Sequence, residues 1–338
     1  MNYRILVVAT MAVLALIGAS SAIAQTGSSE TGQWTVPRTP DGHPDLQGVW
    51  ANNSATPLER PETLADKIEL TDEEVADLAQ HARQLFNGET DAAFGDSVFE
   101  AALAGSQGFT SSDAGTGNYN QFWLVDREFE ARTSLIVDPP DGRMPVLTST
   151  AAAASDAVRA HRLAHPADSY TDRSNSDRCI TYGVPRIRAG YNSYFQFVQT
   201  ASHVAIVKEL IHDVRIIPLD GRPHLDEAVR QWMGVSRGRW EGETLVVETT
   251  NLNGKNPFRG QSGDQMRVTE RFTRISEDEI RYQFTVEDKG TWDTPWTGEM
   301  AMRKSIGPLF EHACHEGNYG LYNTLVGARA EEREAAGK

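Results

Sequence analysis

The stretch Phe195–Asp220, FQFVQTASHVAIVKELIHDVRIIPLD, decides the fold. It holds two runs rich in Val and Ile, Val204–Ile211 and Val214–Leu219, joined by His212-Asp213. Branched side chains pack well on a pleated surface, so the runs read as strands. A two-residue link containing Asp suits a hairpin. In that hairpin Ile211 would face Val214, Leu210 would face Arg215, and Glu209 would lie on the other face. Glu209, His212, Asp213 and Arg215 are ionisable groups in an apolar setting, where burial alone gives them no use. They are the first candidates for a working site, against the plainer reading of a turn with a solvated cross-strand pair.

Outward from this hairpin the same pattern repeats. Strand-like runs occupy Tyr194–Gln199, Thr244–Thr249, Arg267–Ile275, Glu279–Glu287 and Trp296–Met302, and further strands are expected over Tyr119–Trp123 and Thr133–Asp138. Short turn signals separate the later runs, among them Asp220-Gly221, Glu241-Gly242 and Ser276-Glu277-Asp278. Such a series, with no alternation of strand and helix, predicts a mainly β, antiparallel barrel or sandwich. Gly48-Val49-Trp50 resembles the opening of lipocalin-type barrels, in which the Trp closes one end. Three helices interrupt the pattern. Thr71 followed by Asp72-Glu73-Glu74 is a capping box, and apolar residues then recur at helical spacing to about residue 87. An Ala-rich helix should run over 149–165 and stop before Pro166. An Ala/Glu/Arg helix over 321–336 should lie on the outside. Residues 88–118 read as a long loop with a short helix near Val98–Leu103.

The N-terminus carries Arg4, an apolar run Ile5–Ile17 and Ala22-Ile23-Ala24, the plan of a secretory signal peptide over 1–24. Residues 25–45 read as a flexible leader, and 46–338 as a single β-rich domain. The expected location is exported, periplasmic or extracellular. With 32 Lys and Arg against 47 Asp and Glu, the formal net charge is −15. Acidity of this size argues against nucleic acid or an anionic membrane as partner. Oligomeric state is left open. Cys179 and Cys314 read as one long-range disulfide, because an exported chain meets an oxidising compartment. The rival is a thiolate at Cys314, flanked by His312 and His315.

Gly234-Val235-Ser236-Arg237-Gly238 fits the G-x-S-x-G pattern, but a turn into a strand follows it rather than a helix, so it reads as a β-turn region and not as a nucleophile elbow. His312-Ala313-Cys314-His315 is loosely spaced for a metal, and no metal or other cofactor is expected. Trp123, Tyr191, Asn192 and Tyr319 would form a flat-walled pocket at a barrel mouth, with Arg186 and Arg188 supplying charge for a phenolate or carboxylate.

Several segments carry a resemblance: Leu135–Arg143, Arg178-Cys179-Ile180, Ile211–His224, Ser236–Gly242 and His315–Tyr319. Over most of the chain it resembles a large family of exported, mostly uncharacterised bacterial proteins found in bacteria that live on plant matter. That family is similar in turn to hydrolytic β-aryl ether cleaving enzymes, which act on lignin-type β-O-4 dimers without an added cofactor. The resemblance implies a hydrolase of small lignin-derived aromatics. Acid–base work would fall to Glu209, His212, Asp213 and His315, and Arg215 would stabilise charge on the leaving oxygen. Two other readings stand beside it: a lipocalin-like carrier of a hydrophobic or aromatic ligand, and a metal-dependent hydrolase using His312 or His315.

Overall fold

The computed structural model describes residues 34–87, 95–105, 127–187, 189–255 and 265–337. The chain divides into Met1–Thr35 and Val36–Lys338. The expected signal peptide, Trp123 and Arg188 lie outside the described residues, as does the strand expected over Tyr119–Trp123.

The second unit is a nearly closed antiparallel barrel. Its strands are β1 (Gly48–Ala51), β2 (Ile136–Asp138), β3 (Tyr194–Gln199), β4 (His203–Lys208), β5 (Val214–Pro218), β6 (Val235–Glu241), β7 (Thr244–Thr250), β8 (Arg267–Arg274), β9 (Glu279–Glu287) and β10 (Trp296–Lys304). Nine of them follow the order β5-β4-β3-β1-β10-β9-β8-β7-β6, and β2 pairs with β10. The helices are α1 (Asp72–Leu85), α2 (Ser97–Ala104), α3 (Ser149–Ala164) and α4 (Tyr319–Ala335). Thr71 and Glu74 form the expected capping box on α1. Helices α1 and α2 bury Leu78, Ala82, Phe99 and Ala102 in a small core of their own. Burying a side chain such as Phe99 contributes about 2–3 kcal/mol. No side chain of α4 is buried.

The barrel is filled by side chains. Phe272 and Tyr282 stack at 4.7 Å, Phe197 meets Phe272 edge-on at 5.2 Å, and Phe284 meets Trp296 at 5.9 Å. Gly298 stands opposite Phe284. A Cβ there would lie 2.4 Å from the ring, so only glycine leaves it room. Trp50 is fully buried, donates its indole N–H to Leu46 O at 2.9 Å and lies under the Arg274 guanidinium. Leu46 N in turn meets Gln199 Oε1, at the far end of β3 from the 209–213 turn. Trp50 therefore closes the barrel end opposite that turn.

Two sequence expectations change. The segment containing Ser236 is not a turn region but the body of β6, paired residue by residue with β7. Gly238 sits inside that strand because Ile217 of β5 and Leu219 just after it come within 2.8 Å of where its Cβ would be. The β4–β5 register also differs. β4 ends at Lys208, Val207 faces Val214, and Ile206, not Leu210, faces Arg215. A five-residue turn, 209–213, replaces the two-residue link, with a 3-10 turn over Leu210–His212 inside it.

The edges of β5 and β6 are neighbours without a backbone ladder. Side chains close the seam, Arg215 of β5 donating to Ser236 of β6 at 3.1 Å. Cys179 and Cys314 form a disulfide with Cα atoms 5.7 Å apart. Such a bond suggests a location outside the reducing cytosol. No helix among the described residues is long and apolar enough to cross a membrane.

Candidate functional site

The site is built on the 209–213 turn. Ile211 and His212 have φ of 59° and 42°, and Asn192, beside the turn, has 42°. Left-handed backbone is uncommon outside glycine and an outlier for a β-branched residue, costing about 1–3 kcal/mol each. The surroundings fix it. Lys208 N donates to Asp213 O at 2.9 Å, Glu209 N to Tyr194 O at 3.0 Å, and His212 N to Glu209 O at 3.0 Å. Asp213 Oδ2 accepts from the Thr181 hydroxyl at 2.8 Å.

Glu209 is 5% exposed. Its Oε1 accepts from Asn192 Nδ2 at 2.5 Å. Its Oε2 is buried and accepts no hydrogen bond, and neither does Asn192 Oδ1. Over this turn folds the segment after β10. Ile211 N–H donates to His312 Nδ1 at 3.2 Å, and His212 Nδ1 meets His312 O at 3.2 Å. Tyr191 stands edge-on to the His312 ring at 6.2 Å. Because Nδ1 accepts a backbone N–H, the neutral imidazole carries its proton on Nε2. Burial lowers the His312 pKa below its usual value; Glu209 opposes this, and His212 and Arg186 reinforce it. Near neutral pH the ring is therefore an uncharged N–H donor close to a buried carboxylate. The 312–318 segment is held there by the disulfide and by Asn318 Nδ2 donating to Asp177 O at 2.8 Å.

No family model matches the chain. No curated protein and no solved structure matches it either.

Below the turn, a polar ladder crosses the barrel interior. Arg215 reaches Glu270 Oε1 at 3.0 Å and Oε2 at 2.5 Å, and Thr249 Oγ1 at 2.9 Å. Tyr282 donates its hydroxyl to Glu270 Oε1 at 2.8 Å. Burial opposes the Arg215 charge, but the Glu270 carboxylate outweighs it and raises the pKa. Burial and the same carboxylate hold the Tyr282 phenol well above its ordinary range. Lys208 is fully buried, donates to Gly183 O at 2.9 Å, and is pushed down to about 7 by burial and by Arg215.

Of the residues singled out in the sequence, the structure brings Glu209, Asn192 and Tyr191 together. His212 is exposed but touches the same segment through its ring, and Asp213 props the turn. Arg215 is engaged inside the barrel by Glu270, Ser236 and Thr249. His315, the histidine chosen from the sequence for acid–base work, is exposed, and it is His312 that meets the turn. Tyr319 stands 72% exposed at the start of α4. Among the described residues no group of three or more His, Cys, Asp or Glu is arranged to hold a metal ion. Glu270 and Lys208 were missed, although a signal existed: each occupies an inward position in an alternating strand, between Val268 and Phe272 and after Ile206.

Proposed function

We propose that the chain is an exported, cofactor-independent hydrolase that cleaves an aryl ether bond in small lignin-derived aromatics. The observation that carries this reading is the buried, hydrogen-bond-free Oε2 of Glu209 in the turn whose Ile211 N–H holds His312 by Nδ1, with the Glu209 charge acting on that ring. A buried carboxylate oxygen without a donor is costly unless a substrate or water proton engages it. In the reaction Glu209 Oε2 takes a proton from water, and Asn192 Oδ1 accepts the second O–H and aligns it. The hydroxide oxygen bonds to the ether carbon as the carbon–aryloxy bond breaks. The electron pair leaves on the aryloxy oxygen, where His312 Nε2–H donates a hydrogen bond to the developing charge. The Glu209 proton then passes to the phenolate, so ether plus water gives alcohol plus phenol. Tyr191 offers a face for the ring. The packed barrel interior supports a site at the mouth over the central cavity that a carrier would need.

The test is incubation with a guaiacylglycerol-type β-aryl ether dimer in water enriched in oxygen-18, following phenol release and label. Turnover is expected, reduced at least about a hundredfold in Glu209→Gln, and unchanged in His315→Asn. On the acid side kcat/KM should fall through a pKa below that of free imidazole, because burial, helped by His212 and Arg186, disfavours the charged His312 ring. Absence of phenol from the wild-type protein, with or without added divalent metal, overturns the reading.

A further inference from the structure

Beside the site lies a buried cation that no reaction step has used. Arg127 is largely buried, and its Nη1 is fully enclosed and makes no hydrogen bond. Among the described residues no carboxylate is in ion-pair contact with it. Asp96 acts on it at longer range, and Asp96 Oδ1 already accepts from Leu58 N at 3.0 Å. Burial pulls the guanidinium down to about 10, which still leaves it charged near neutrality. Carboxylates are not scarce in a chain with 47 acidic residues. An unpaired buried charge costs several kcal/mol, so it persists where something else repays it.

The packing around it is specific. Gly190, at φ +92°, lies flat against the guanidinium: a Cβ there would fall 2.2 Å from Nη1 and 2.7 Å from Cζ. The next residues are Tyr191 and Asn192, the ones that meet His312 and Glu209. Two residues of chain span at most about 7 Å, so Arg127 and the Glu209 carboxylate flank one short loop. On the strand side, Glu128 N donates to Asn53 O at 2.9 Å, and Asn53 Oδ1 is a further buried oxygen without a hydrogen bond.

We infer that Arg127 is the anchor for an anionic group, a carboxylate or phenolate, on an aromatic ligand whose reactive end lies at Glu209 and His312. This rests on the hydrolase reading for the identity of the reactive end and not for the binding itself. A planar guanidinium suits a carboxylate because it can offer two parallel N–H bonds. The loop 189–192 then works as a spacer between anchor and chemistry.

The experiment measures calorimetric binding of 4-methoxybenzoate against its neutral methyl ester. Wild-type protein should prefer the carboxylate by about tenfold or more, with the preference shrinking as salt rises. Arg127→Met should abolish the preference, Arg127→Lys should keep part of it, and Gly190→Ala should lose it by displacing the guanidinium. Arg127→Met should also unfold at a higher temperature than the ligand-free wild type, since an uncompensated charge has gone; a purely structural arginine would give the reverse. Equal binding of acid and ester by the wild type, or an unchanged preference in Arg127→Met, overturns the anchor. Selective binding in wild type and Glu209→Gln alike, with no ether turnover by the wild type, overturns the hydrolase reading and leaves the anchor standing.

Discussion

Arg215→Met tests the closure of the barrel. In the wild type the guanidinium makes two bonds to Glu270, one to Ser236 and one to Thr249, all buried. After the change Ser236 and Thr249 still satisfy each other at 2.9 Å. Glu270 Oε1 keeps the Tyr282 hydroxyl, but Oε2 loses its donor and the charge loses its partner. Removing one member of a buried pair costs about 3–5 kcal/mol. The expected loss is therefore about 4 kcal/mol, a large part of the roughly 5–15 kcal/mol that holds a domain of ordinary stability. Adding Glu270→Gln removes the stranded charge and leaves an amide for Tyr282. The double variant should lose only about 1–2 kcal/mol, less than Arg215→Met alone. Urea unfolding followed by tryptophan fluorescence gives the free energies. Hydrogen exchange reports the seam, where β5 and β6 amides should lose protection before those of β8 and β9. A cost below about 1 kcal/mol for Arg215→Met, or additive single and double effects, refutes the claim that this pair holds the seam.

Two further outcomes follow from the same structure. Cys179→Ser with Cys314→Ser opens a loop of sequence separation 135, worth about 5 kcal/mol on the chain-entropy account; because residues 305–337 bury no side chain, the variant should be cut by protease within 305–318 and lose turnover with His312, and a protected, active variant would contradict this. Lys208 has a folded pKa lowered to about 7 from 10.5, so the unfolded chain holds more protons between those values and stability should rise with pH there; relative to Lys208→Met, the wild type should gain on the order of 2 kcal/mol between pH about 7 and about 9, and a flat difference in denaturation midpoints would show that Lys208 is not buried as described.

Much of the fold was legible because alternation in a strand is a local property. Val204, Ile206 and Val268, Phe272 declare an inward face without reference to any neighbour. The capping box at Thr71 and the stop before Pro166 are local in the same sense. Ser236 was misread because Gly234 and Gly238 look like turn residues. One is a positive-φ glycine at the head of β6, and the other makes way for Ile217 and Leu219 across the seam. That need arises on another strand and leaves no mark beside Gly238.

The candidate site was half legible for a related reason. An ionisable group in an apolar run stands out, so Glu209 was visible. Its companion could not be chosen from sequence, because His312 and His315 are three residues apart in an irregular segment and either could turn inward. By itself the sequence determined most of the strands other than β6, their inward faces, the places of the helices and the pairing of two cysteines, all set by periodicity, capping and composition. Only the tertiary structure decided the five-residue turn, the seam held by Arg215 and the choice of His312. The choice of His312 depends on the disulfide and the Ile211–His312 bond, which join positions more than a hundred residues apart, and the seam depends on Arg215 meeting residues 21 to 55 positions away; no local pattern encodes contacts at that range.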